Sequence, residues 1–60
     1  MKRVLTLDLH GNRVAVYEQD LNDVFTYTAY LIVGKKKYYL DDFYSLTEAF
    51  EYSMQFCYDN

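Results

Sequence analysis

His10 is the only histidine in the chain and Cys57 the only cysteine, so acid–base or nucleophilic chemistry would have to be assembled around one of the two. Asp8 precedes His10 by two residues, which on an extended strand puts carboxylate and imidazole on the same side. No serine or cysteine nucleophile is tied to that pair and no third group completes it, so His10 reads as a polar residue entering a turn. Cys57 falls on an apolar helical stripe, where a free thiol behaves as a small core residue, and alone it forms no internal disulfide. Metal binding is no better supplied. The one histidine and one cysteine stand at opposite ends of the chain, and Asp41-Asp42 lacks the spaced oxygen ligands of a calcium loop. Gly34 stands alone before lysines and makes no phosphate-cradling loop. The chain is therefore expected to be no enzyme, to use neither metal nor cofactor, and to work by contact.

Charge and aromatic content describe the surface available for contact. The net charge is −3, but residues 1–37 hold all six Lys and Arg against four acids, while residues 38–60 hold Asp41, Asp42, Glu48, Glu51 and Asp59 with no base. One end of the fold should be acidic, which opposes approach to nucleic acid and favours basic partners. The same excess could serve solubility alone. Eight tyrosines and four phenylalanines make up 20% of the chain, without tryptophan or proline. Tyrosine suits surfaces that are half apolar and half wet, although large rings also fill thin cores.

The elements that position these groups follow from periodicity. Sixty residues make one domain, 1–60, that hides only about 60% of its unfolded surface, so an enclosed pocket is not expected. No apolar run approaches the roughly 18 residues of a membrane span, and Met1-Lys2-Arg3 leads into alternating residues rather than a signal peptide, so a cytoplasmic location without membrane contact is expected. Val4–Leu9 alternates as a half-buried strand, Gly11-Asn12 makes a turn, and Arg13–Glu18 is a second strand followed by a polar loop, Gln19–Asp23. Val24–Val33 is the longest strand, rich in β-branched and aromatic residues. Gly34-Lys35-Lys36 turns into a fourth strand, Lys37–Asp41. Ser45-Leu46-Thr47-Glu48 matches a capping box, with Asp41 and Asp42 just upstream where the helix dipole favours carboxylates. Leu46, Ala49, Phe50, Ser53, Met54 and Cys57 then form one stripe, leaving Glu48, Glu51, Tyr52, Gln55 and Asp59 on the wet side.

The fold class expected is α+β, a four-stranded antiparallel sheet (β-β-β-β-α) with one C-terminal helix packed on one face. If the leucines of the first strand, Val14, Val16, Tyr27, Leu31, Tyr38 and Leu40 meet the helix, Tyr17, Tyr30, Ile32 and Tyr39 lie on the open side as an aromatic patch.

Residues 27–53, YTAYLIVGKKKYYLDDFYSLTEAFEYS, combine an alternating strand, a lysine-bearing turn after glycine, a second strand and F-x-S-L-x-E-A through Phe43, Ser45, Leu46, Glu48 and Ala49. This segment resembles the end of the three-strand-plus-helix DNA-binding domains of tyrosine integrase arm-binding regions and plant ethylene-response factors. In those families the sheet reads DNA through outward Arg, Lys and Trp. The matching positions here are Thr26, Thr28, Tyr30, Ile32, Lys37 and Tyr39. In size, acidity and tyrosine content the chain is also similar to the small inhibitors that phages and mobile elements use against bacterial defence, including anti-CRISPR proteins. That likeness implies DNA mimicry, in which carboxylates replace phosphates or block a basic channel while aromatic anchors supply affinity.

The leading expectation is thus a protein-binding module, a phage-type inhibitor of a host protein with a basic nucleic-acid-binding surface, acting through Glu48, Glu51, Tyr52, Gln55, Tyr58 and Asp59. The alternative is a small nucleic-acid-binding domain using the open face through Tyr17, Tyr30, Tyr39, Lys35, Lys36 and Lys37. A homodimer burying that face is a third.

Overall fold

Alternation of apolar and polar residues carries through most of the first two-thirds of the chain, and it builds a single antiparallel meander. The computed structural model describes residues 1–60. Its strands are β1 (Lys2–Leu9), β2 (Asn12–Leu21), β3 (Val24–Val33) and β4 (Lys36–Phe43), followed by the helix α1 (Leu46–Asp59). The strands neighbour one another in chain order, β1-β2-β3-β4, with antiparallel pairing throughout. The protein is an α+β fold of β-β-β-β-α arrangement. No helix is long and apolar enough to cross a membrane.

Three tight turns set the strand lengths, and all three displace the expected boundaries. Leu9 pairs with Asn12, so the first turn is His10-Gly11 rather than Gly11-Asn12, with positive φ at both (53° and 79°). Histidine tolerates this region better than most side chains, and its ring here lies 4.5 Å from that of Tyr58. The expected loop Gln19–Asp23 is mostly strand. β2 continues to Leu21, and Asn22-Asp23 alone turn the chain, again with both φ positive (55° and 68°). Asp20 Oδ1 accepts from the Asp23 amide at 2.9 Å, so the short carboxylate staples the hairpin instead of ending the strand. Val33 pairs with Lys36 across Gly34-Lys35, which leaves Lys36 inside β4.

Pairing carries the strand periodicity into two faces. Leu5, Leu7, Val14, Val16, Ala29 and Leu31 stand in register on the helix side. Bulges interrupt the register between Arg3 and Leu5 on β1 and at Leu40 on β4, each adding a residue to an edge strand. Leu40 packs on the core, whereas Tyr38, expected to meet the helix and in register with Leu31 on that side, stays 49% exposed.

The core is thin. Val14, Val16 and Ala29 from the sheet and Ala49 and Cys57 from α1 are fully buried, with Ser53 beside them. The Ser53 hydroxyl donates to the Ala49 carbonyl at 2.7 Å, so the buried polar group is satisfied within its own helix. Tyr52 is half-buried on the β4 side, its ring 5.2 Å from Phe43, and so does not belong to the wet side where periodicity placed it. Leu46 and Phe50, each 40% exposed, lie at the edge of the buried stripe.

Helix onset follows the expected cap in part. Ser45 is extended (φ −137°, ψ 145°) and its Oγ accepts from the Glu48 amide at 3.0 Å, while the Glu48 carboxylate stays in solvent and makes no return bond. Asp41 and Asp42 do not serve the helix, because both lie within β4. Ser45→Ala should destabilise the fold by about 1 kcal/mol in urea titrations, and Ser45→Asp should recover most of it. Equal midpoints for all three proteins would show that the cap contributes nothing.

Candidate functional site

Two surfaces of opposite character emerge, one on each side of the molecule. On the open sheet face the register sets Arg3, Tyr17, Thr28 and Asp42 in one row, and Thr6, Ala15, Tyr30 and Tyr39 in the next. Tyr30 is therefore a diagonal neighbour of Tyr17, and their rings meet edge-on at 5.6 Å, with Tyr39 beyond at 6.4 Å from Tyr30. The Lys37 ammonium lies 4.6 Å from the Tyr17 ring centre and 4.8 Å from that of Tyr30. The Arg3 guanidinium also lies against Tyr17, 5.3 Å from its ring centre, and its Nη2 donates to the phenol oxygen at 2.8 Å. Each such cation–ring contact contributes about 0.5–1 kcal/mol at an exposed site.

These side chains cover the sheet as well as decorate it. Ala15 points to the open side yet is fully buried, and Thr28, on the same side, is nearly so. Tyr17 and Tyr30 are half-buried and Tyr39 is exposed, so the aromatic patch expected here is largely closed over by its own neighbours. Arg3, Tyr17 and Ile32 join Gly34, Lys35, Lys36 and Lys37 around a hollow of about 330 Å³. Arg3 lies near the start of one edge strand and the lysines sit at the far hairpin, at diagonal corners of the sheet. Sheet twist curls that diagonal over one face. Four of the chain's six bases thus line one depression, while Arg13 pairs with Asp8 at 2.8 Å.

Asp42 closes the other end of this face. Its carboxylate accepts from Thr28 Oγ1 at 2.6 Å and from the Tyr39 phenol at 2.7 Å, and those two hydrogen bonds hold its pKa below the usual carboxylate value. The same bond to Asp42 pushes Tyr39 up to about 12.

The second surface is the outer side of α1. Glu48, Glu51, Gln55, Tyr58 and Asp59 are exposed, and none of the three carboxylates meets a base, because Asp8–Arg13 is the only ion pair in the protein. Gln55 donates to Asp59 Oδ2 at 2.6 Å. Asp59 sits in the last turn of α1, which holds no base, so its charge opposes the negative end of the helix dipole. The structure therefore brings Glu48, Glu51, Gln55 and Asp59 onto one surface with Tyr58 at its margin, and leaves Tyr52 out of it.

Asp8 and His10 are drawn apart, the first to Arg13 and the second to Tyr58. Cys57 is fully buried, burial pushes its thiol pKa up, and its Sγ donates to the Asn12 carbonyl at 3.8 Å. Arg3 and Asp42 were missed as members of the open-face cluster, since nothing in local spacing ties residue 3 to residues 17 and 37.

Tyr39 favours its neutral form in the folded state, so its contribution to stability is present below pH 10 and is lost as pH rises through about 12. Asp42 acts at the opposite end of the scale, contributing above its ordinary carboxylate pKa and losing that contribution as pH falls through its lowered value. Tyrosinate absorbance should show a last-titrating component that disappears in Tyr39→Phe and moves to lower pH in Asp42→Asn. An unchanged titration in both variants would show that this pair does not form.

Comparison with protein-family models, with curated proteins and with solved structures found no match to the chain, so what either surface does has to follow from its own chemistry.

Proposed function

We propose that the chain is a non-enzymatic protein-binding module whose acidic helix face docks on a partner with a basic surface. The observation that carries this is the set of carboxylates on the outside of α1, Glu48, Glu51 and Asp59, with no base to neutralise them. Asp59 stands in the last turn of α1, where the helix dipole disfavours a carboxylate and no base is present, and departures of this kind concentrate at functional surfaces. Glu48 and Glu51 rise about 4.5 Å apart along a rigid helix, so they meet a partner without the ordering cost of a loop. A basic surface of that kind is common on proteins that handle nucleic acid. Occupying it with carboxylates in place of phosphates would make the chain an inhibitor, of the sort phages direct against host defence proteins.

A second mode, nucleic-acid binding on the open face, draws support from the cationic hollow. Against it, the Lys37 ammonium already occupies the faces of Tyr17 and Tyr30 on which a base would stack. Net charge adds a further penalty.

Affinity capture from the native cell, with the wild-type chain and with Glu48→Lys/Glu51→Lys, separates the two modes. The wild type should retain basic nucleic-acid-handling proteins that elute as salt is raised, and the double variant should lose them by about tenfold or more. Identical capture by both proteins would overturn the acidic-face proposal. A mobility shift with a single-stranded oligonucleotide, abolished by Lys37→Ala with Arg3→Ala, would establish the open-face mode instead.

A further inference from the structure

Strand β1 ends the sheet on one side, with the backbone groups of its outer edge unpaired. Its counterpart β4 is an edge interrupted at Leu40 and loaded with Lys36, Lys37, Asp41 and Asp42, a composition that discourages strand addition. β1 is different. Beyond its bulge it runs regularly from Leu5 to Leu9 with one charged residue, Asp8. Alongside it runs a flank of α1 made of Leu46, Phe50, Met54 and Tyr58, one residue per turn. Leu5, Leu46, Thr47 and Phe50 line an open apolar hollow of about 270 Å³ at one end, and Tyr58 meets His10 at the other. An open strand edge with a parallel apolar ridge is a surface built to take another strand.

The order of residues along β1 identifies the occupant. The bulge makes Val4 and Leu5 share one position, so the strand reads Arg3, Val4/Leu5, Thr6, Leu7, Asp8. Turned antiparallel on itself about Thr6, every position meets one on the same face: Thr6 meets Thr6, Leu5 meets Leu7, and Arg3 meets Asp8, twice over. Arg3 and Asp8 both point to the open side, and each carboxylate has capacity for a second donor beyond Arg13. The two helix flanks would then face one another above the joined strands. We propose that β1 is a self-pairing edge, and that the protein forms a two-fold dimer with a continuous eight-stranded sheet centred on Thr6. Pairing through the open faces would instead set four bases against four. This proposal is independent of what the acidic face binds, since that face stays exposed on both copies.

Sedimentation at micromolar concentration should give twice the 7.2 kDa monomer mass. Thr6→Lys places two ammonium groups together at the axis and should weaken association by about tenfold or more, with an unchanged circular dichroism spectrum because Thr6 is exposed. Thr6→Cys should close a disulfide between copies under mild oxidation, since facing Cα atoms in an antiparallel pair lie about 4.5–5.5 Å apart, while a Gln19→Cys control should not. Should Thr6→Lys fail to fold, an equimolar mixture of Arg3→Cys and Asp8→Cys decides the matter by cross-linking to each other in preference to themselves. A wild-type monomer throughout the micromolar range, or a dimer that survives Thr6→Lys without cross-linking through Thr6→Cys, would overturn the proposal.

Discussion

The close seat of α1 on the middle of the sheet is the constraint on which the other features depend. Ala49, Ser53 and Cys57 are small, and that is what lets the helix settle onto Val14, Val16 and Ala29 until all six side chains lose contact with solvent. A core of this size has no slack. One larger residue on the helix stripe would lift α1 off the sheet, and a cavity beneath it would remove a large fraction of the fold's apolar burial. The same contact decides which helix residues look outward, and therefore where the uncompensated carboxylates stand.

Covering one face with a helix leaves the other to be covered by its own side chains, which the protein does with a lattice of phenols and cations. Tyr17 and Tyr30 lie over Ala15 and are in turn capped by Lys37 and Arg3, while Asp42 holds Thr28 and Tyr39. Four bases gather on this side, and three carboxylates without a basic partner stand on the back of α1. The shortest dimension of the molecule is 15 Å, nearly twice the screening length of about 8 Å at physiological salt, so the two fields act on partners almost separately. A net charge of −3 consequently describes neither surface.

Features with a local cause were legible in the sequence. Alternation placed β3 at Val24–Val33, and the Ser45 cap marked where α1 begins. The division of Tyr17, Tyr30 and Tyr39 from Val14, Val16 and Leu31 followed from strand period alone. Features that depend on register were not legible. The bulges near Val4 and Leu40 exist only relative to a neighbouring strand, and the second puts Tyr39 and Asp42, three residues apart, on the same open side. Polar residues misled twice, since Gln19 and Asp20 read as loop but extend β2, and Asp42 read as a helix-dipole partner but belongs to the sheet. The Arg3–Tyr17–Lys37 cluster required sheet twist to bring diagonal corners together. Tyr52 was misplaced because a ring on the flank of a helix can bend toward the sheet at Phe43, which angular position alone does not reveal.

Amide hydrogen exchange tests the seat of α1 most directly. If the helix and the central strands share one core, the amides of Ser53–Cys57 should be protected to the same free energy as those of Val14–Val16 and Ala29–Leu31, and all should open together as denaturant is added. Helix amides that exchange orders of magnitude faster than β2 and β3, with the sheet still protected, would contradict it, because the surface assigned to the back of α1 would then have no fixed support.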